Sequence, residues 1–102
     1  MATTTSTVLY RGAASTTTST TLYTVPSATT AVVTEIAVTN TAGTAGSFTI
    51  NLDGVAIAST VTVGAYDTTV IPMKQVLAAT KVISGGASAT TINFHISGVQ
   101  IA

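Results

Sequence analysis

The clearest signal in the chain is the alternation of apolar and polar residues from Ser47 to Val63. Phe48, Ile50 and Leu52 are apolar at every second position, with Thr49, Asn51 and Asp53 between them. Side chains on a strand point to opposite faces in turn, so this spacing predicts a half-buried strand. Asp53-Gly54 follows at once, and that pair accepts positive φ at both central positions of a two-residue hairpin loop. The return strand brings Val55, Ile57, Val61 and Val63 back towards the same core. The stretch reads as a β-hairpin with one buried face.

The same alternation recurs along the chain. Thr30 to Asn40 is the longest strand candidate, with Val32, Thr34, Ile36, Val38 and Asn40 on the predicted inward face and Val33, Glu35, Ala37 and Thr39 on the other. Thr91 to Ile101 closes the chain: Ile92, Phe94 and Ile96 alternate with Asn93, His95 and Ser97. Gly98 then interrupts, and Val99 and Ile101 resume in a shifted phase, which predicts a bulge at Ser97-Gly98. Shorter candidates are Thr7 to Gly12, with Val8 and Tyr10 on one side and Leu9 and Arg11 on the other, Leu22 to Val25, Thr68 to Ile71, and Lys81 to Ser84. Pro26 and Pro72 are expected to stop the second and third of these, since proline cannot donate to a ladder. Thr41 to Gly46, Gly64 to Asp67 and Gly85-Gly86 read as turns.

Met73 to Thr80 is the only stretch with helical spacing, through Met73, Val76 and Leu77. It is too short to stand as a helix and predicts one turn or an irregular crossover. Met1 to Ser6 reads as a loose polar start, and the Ser/Thr/Ala run from Ala13 to Thr21 as a linker or exposed loop. Seven or eight short strands joined by Gly, Asp and Pro turns predict an all-β chain. The expected architecture is a small antiparallel β-sandwich or barrel, Ig-like or jelly-roll-like, over residues 22–102. Residues 1–21 form an extended N-terminal arm with a short strand of its own.

Composition narrows the reading. The 102 residues suit one domain, and 46% are hydrophobic, but only 6% are charged, against about 25% in a typical soluble protein. Threonine, serine and alanine take the place of charge. With a formal net charge of zero, copies repel one another weakly, and association is expected. Arg11, Lys74 and Lys81 are scattered, which argues against a nucleic-acid partner. There is no cysteine, hence no disulfide framework and no thiolate metal site. The Met-Ala-Thr-Thr-Thr start lacks the basic and apolar regions of a signal peptide, and no apolar run approaches the roughly 20 residues of a membrane span. Synthesis in the cytoplasm and no membrane partner are expected.

No constellation for chemistry emerges. His95 is the single histidine and falls on the polar face of the last strand. Glu35, Asp53 and Asp67 are the carboxylates; the two aspartates sit in predicted turns, where such side chains bond their own backbone. A hydrolase pair needs two carboxylates in one cleft, and a calcium loop needs clustered oxygen ligands. No catalytic, cofactor-binding or metal residue is expected, and the chain reads as a non-enzyme. Leu9-Tyr10 and Leu22-Tyr23 echo each other. They suit two edge strands with one aromatic anchor each, or an arm that reaches a neighbouring subunit. On the second reading Leu9, Tyr10, Arg11, Leu22 and Tyr23 are the partner contacts.

Four segments carry a resemblance: Leu22-Tyr23-Thr24-Val25-Pro26, the run Ala31 to Thr41, Ile50-Asn51-Leu52-Asp53-Gly54, and His95-Ile96-Ser97-Gly98-Val99. Together they resemble small virion proteins of tailed bacteriophages, the head decoration (cement) proteins and related minor structural proteins. The resemblance spans Leu22 to the end and implies a sandwich or barrel on the outside of a capsid. It implies binding to the major capsid protein, bridging its subunits against internal pressure, self-association as a homotrimer, and no catalytic residue. The protein would be made in the host cytoplasm and reside on the capsid surface. The alternative is a tail, fibre or host-adhesion module, which would need an exposed aromatic platform. The aromatic stock is Tyr10, Tyr23, Tyr66, Phe48 and Phe94, and the last two read as core.

Overall fold

The computed structural model describes residues 3–102. Met1 and Ala2, the first residues of the stretch read as a loose start, lie outside the described residues. Eight strands follow in order: β1 Thr4–Ala13, β2 Thr21–Thr24, β3 Thr30–Asn40, β4 Gly46–Leu52, β5 Val55–Val63, β6 Thr68–Leu77, β7 Val82–Ala87 and β8 Ile92–Ile101. They form two four-stranded sheets, the first ordered β1-β8-β3-β6 and the second β2-β7-β4-β5. The ladders are antiparallel. Only β4 and β5 are consecutive strands within one sheet; every other connection crosses to the opposite sheet. Eight strands wound between two sheets in this order make a jelly roll, so the jelly-roll form of the expected sandwich is the one adopted.

The β4–β5 hairpin turns where the sequence places it. Asp53 and Gly54 have φ of 54° and 75°, and Leu52 pairs with Val55, the two-residue geometry that matches the twist of the flanking strands. Alternation then buries Phe48, Ile50 and Leu52. The return strand departs from expectation: Ala58 and Val63 are buried, whereas Val55 is 69% exposed and Ile57 also faces solvent. The cause is two register shifts in β5, one at Thr60, whose φ is 49° and whose amide donates to Thr49 Oγ1 at 3.1 Å. Bulges on an edge strand flip its phase and hinder pairing with another chain.

A line of irregularity also crosses the whole first sheet. On β8 the inward positions Ile92, Phe94, Ile96 and Gly98 stay in one phase, so the expected phase shift after Gly98 does not occur on that strand. The extra residues are on its neighbours. β1 inserts Leu9 opposite Ile96 and Ser97, and β3 inserts Thr34 opposite Ser97 and Gly98; β6 inserts one residue against β3 at the same level. The insertion in β3 explains its two-phase burial. Ala31 and Val33 are inward below it and Ile36, Val38 and Asn40 above it, while Thr34 and Glu35 are both exposed. Val32 and Thr34 are thus not inward, as simple alternation predicts. In β1 the bulge lets both Leu9 and Tyr10 pack on the core while Val8 and Arg11 face out.

Three more expectations are corrected. β6 continues through Pro72 to Leu77, with no helical turn. It is the edge of the sheet, and an edge strand tolerates a missing N–H. Gly85 and Gly86 lie inside β7 rather than in a turn; a Cβ on either would come within 2.4 Å of a backbone oxygen, that of Thr49 or Thr17. Of the two readings of the Ser/Thr run before β2, the exposed loop holds over residues 16–19 and the free linker does not. Ser15 and Thr20 accept from the Ala87 and Gly85 amides, and the run lies against the outer face of β7.

The two sheets meet through Phe48 and Phe94, whose rings pack edge to face with centroids 6.1 Å apart. Asn40, 1% exposed, closes one end of the core. Its Nδ2 donates to the carbonyls of Thr44, Val63 and Gly64, and its Oδ1 accepts from the Ala42 amide.

Gly98 tests the bulge line. A Cβ there would stand 2.3 Å from the Val32 carbonyl oxygen and 2.8 Å from Leu9 Cδ1. Gly98→Ala is expected to lower unfolding free energy by about 1–3 kcal/mol in a denaturant titration, the usual cost of overpacking. Asp53→Ala at an exposed turn is expected to lose roughly 1 kcal/mol, from its positive φ alone.

Candidate functional site

The residues singled out as partner contacts lie on the two strands that edge the sheets on one side of the sandwich, β1 and β2. Leu9 is buried at 6% and touches the space above Gly98. Tyr10 is half-buried and its hydroxyl donates to the Ala13 carbonyl at 3.0 Å. Leu22 and Tyr23 are half-buried against the core. Gln100 Nε2 donates to the Tyr23 hydroxyl, so that side chain ties the edge of the second sheet to β8 of the first. Arg11 alone of the five is exposed, and it pairs in register with His95. The segment 4–13 itself runs along β8 from Thr4–Ile101 to Ala13–Asn93.

The titratable groups are spread over the surface. His95 is half-buried on the outer face of the first sheet, between Arg11 on β1 and Ala37 on β3. Glu35 is exposed on the same face, level with Ser97 and Pro72. Asp53 lies 3.8 Å from Lys81 Nζ with both side chains half exposed, a pair of little energetic weight. Asp67 Oδ1 accepts from the Thr68 amide at 2.8 Å, the turn role expected of it. Among the described residues no group of three or more His, Asp or Glu converges. The broadest features of the surface are the outer faces of the two sheets.

That area differs between the two sheets. On the second sheet the outward positions of β4 and β7 include Ser47, Thr49, Asn51 and Ser84. Beside them Thr16, Thr18, Thr60 and Ser88 line a shallow recess together with Ser47 and Thr49. On the first sheet the outer face carries Val8, Val70 and Val76, exposed by 47%, 53% and 67%. Val32 and Val99 are half-buried beside them and pair with each other across β3 and β8. A shallow groove follows the bulge line between Val8, Thr34, Ser97 and Val99. Periodicity hid this face. The bulges move Val8 and Val32 outward, and the predicted helical turn conceals the alternation that exposes Val76.

No family model and no curated protein sequence matches the chain at a significant level. Solved structures do match by fold. A chain from the acid-stable capsid of Helicobacter pylori bacteriophage KHP30 superposes with a TM-score of 0.59 at 11% identity, over 100% of this chain and 94% of that one. A chain of the T13 viral particle of IBDV superposes with a TM-score of 0.52 at 13% identity, over 98% of this chain but only 30% of that longer one. The chain therefore has a fold found in two viral capsid structures, as a near full-length match in one and as a part of a larger chain in the other.

Burial separates the five predicted contacts. Leu9→Ala is expected to destabilise the fold by about 2–4 kcal/mol, and Arg11→Ala by less than about 0.5 kcal/mol. Thermal or denaturant melts of the two variants measure both.

Proposed function

We propose that the chain is a non-enzymatic structural protein of a bacteriophage virion. It decorates the outside of the capsid and stabilises it by bridging subunits of the major capsid protein, in several copies that associate with one another. The homotrimer implied by the resemblance is the assembly form in keeping with this role. The observation that carries the reading is the match to a capsid chain of nearly the same extent. The surface supports the same reading. Six per cent charged residues and a valine-rich sheet face suit a protein that works by contact, since interface cores are depleted in charge.

Tyr66 favours a second reading as a tail or host-adhesion module. It is 77% exposed with φ of 54°, at a loop end that also holds Thr41, Gly43 and Thr91. An exposed aromatic among hydroxyl groups is a minimal sugar platform.

Co-sedimentation of the purified protein with undecorated phage capsids tests the first reading. Saturable binding that raises the temperature or force at which capsids burst is the expected result. Failure to bind capsids, together with labelling of tails in virions, would replace it with the second.

A further inference from the structure

The fold requires two sheets to share a core; it does not require their outer faces to differ. Yet the outer face of the second sheet is hydroxyl-rich and partly covered by the chain's own Ser/Thr run, whose Ser15 and Thr17 carbonyls sit on Gly86. Among the described residues no segment covers the outer face of the first sheet in that way. Val8, Val70 and Val76 are about half or more exposed there, around a single acid, Glu35. β3 is an inner strand, so Glu35 projects from the middle of the face and not from its margin. Arg11 is on β1, two strands away, level with His95 where Glu35 is level with Ser97. Strand spacing and rise put the two backbones roughly 12 Å apart, and the two side chains form no ion pair with each other. Among the described residues the only ion pair is Lys81 with Asp53, which leaves Glu35 and Arg11 unpaired within one copy.

We propose that the outer face of the first sheet is where copies of this chain meet, with Glu35 of one copy pairing with Arg11 of another. A second copy is the occupant that the face itself describes. It carries an acid on its β3 side and a base on its β1 side, so two such faces complement each other in charge when displaced by the separation of Glu35 and Arg11. The valines around Glu35 then exclude water from the pair, which strengthens it. Lys74, exposed on β6 next to β3, gives the face a second base on its other side. Four strands of about ten residues present on the order of 700 Å² per copy, close to the roughly 800 Å² each partner contributes to a standard stable interface. Zero net charge removes long-range repulsion between copies.

This deepens the virion reading by naming the self-contact. It is tested on the full chain free in solution, by light scattering coupled to size-exclusion chromatography and by sedimentation velocity at micromolar concentrations. A whole face meeting its own counterpart is a two-fold contact, so the native chain is expected to run as a dimer or as a larger assembly built through that contact. Val76→Asp is expected to dissociate it. Glu35→Arg and Arg11→Glu are each expected to weaken association roughly tenfold or more, and the double variant to restore it. Melts of the charge variants within a few degrees of the native chain serve as the folding control; Val70→Ser stands in if Val76→Asp does not fold. A monomeric native chain overturns the proposal, as does a multimer indifferent to charge reversal and to both valine variants. Capsid co-sedimentation of the dissociated variant keeps the two readings apart. A chain that self-associates as described yet ignores capsids refutes only the virion role, and a monomer that binds capsids refutes only the self-contact.

Discussion

The edge-to-face contact of Phe48 and Phe94 is the join on which the sandwich depends. Each ring comes from an inner strand, β4 in the second sheet and β8 in the first, so each is surrounded on its own sheet as well as met from the opposite one. Ile36, Ile50, Ile83 and Ile96 are fully buried alongside. No other phenylalanine and no tryptophan exists in the chain. The remaining width between the sheets is filled by branched aliphatic residues, whose stiff side chains suit a pleated surface. With so narrow a core, the sheets must also close at their ends, and Asn40 does this by bonding the carbonyls of two loops at once.

Much of this architecture is visible in the residue order. Alternation locates β3, β4 and β8, and Asp53-Gly54 locates the hairpin. Gly98 marks the level at which the first sheet departs from regularity. The departure itself is displaced to β1 and β3, because a glycine on a central strand makes room for a neighbour's carbonyl without itself bulging. A one-residue insertion leaves no composition signal, so the exchange of Val32 for Val33 and the packing of Leu9 and Tyr10 on the same core are not legible. Pro72 misleads for a different reason: the rule that proline ends a strand holds for central strands, and position in the sheet is a tertiary property. Gly85-Gly86 reads as a turn by composition and serves as a contact surface for other backbone.

The candidate surface was less legible than the fold. Leu9, Tyr10, Leu22 and Tyr23 drew notice as paired anchors, and most of their area faces inward. The exposed valines of the first sheet arise only once three bulges are in place. The likeness to capsid chains at 11% and 13% identity says that this winding survives near-complete change of sequence. What such a sandwich retains is a pair of broad flat faces, and the differing chemistry of those faces is where individual chains diverge.

The order of strands has a consequence for how the protein is made. β8, the last strand, lies between β1 and β3, and β7 lies between β2 and β4. Each sheet is thus completed by a strand late in the sequence, and until that strand is in place β1 and β2 have no ladder to join. Only the β4–β5 hairpin and the β3–β6 pair can form earlier. Loop closure between residues 4–13 and 92–101 must precede the contacts that reward it, so folding is slow. During that interval the β1 segment is an unpaired, Thr-rich strand, free to find the β8 of whichever copy is nearest. At high concentration, folding and self-association would then compete for the same ten residues.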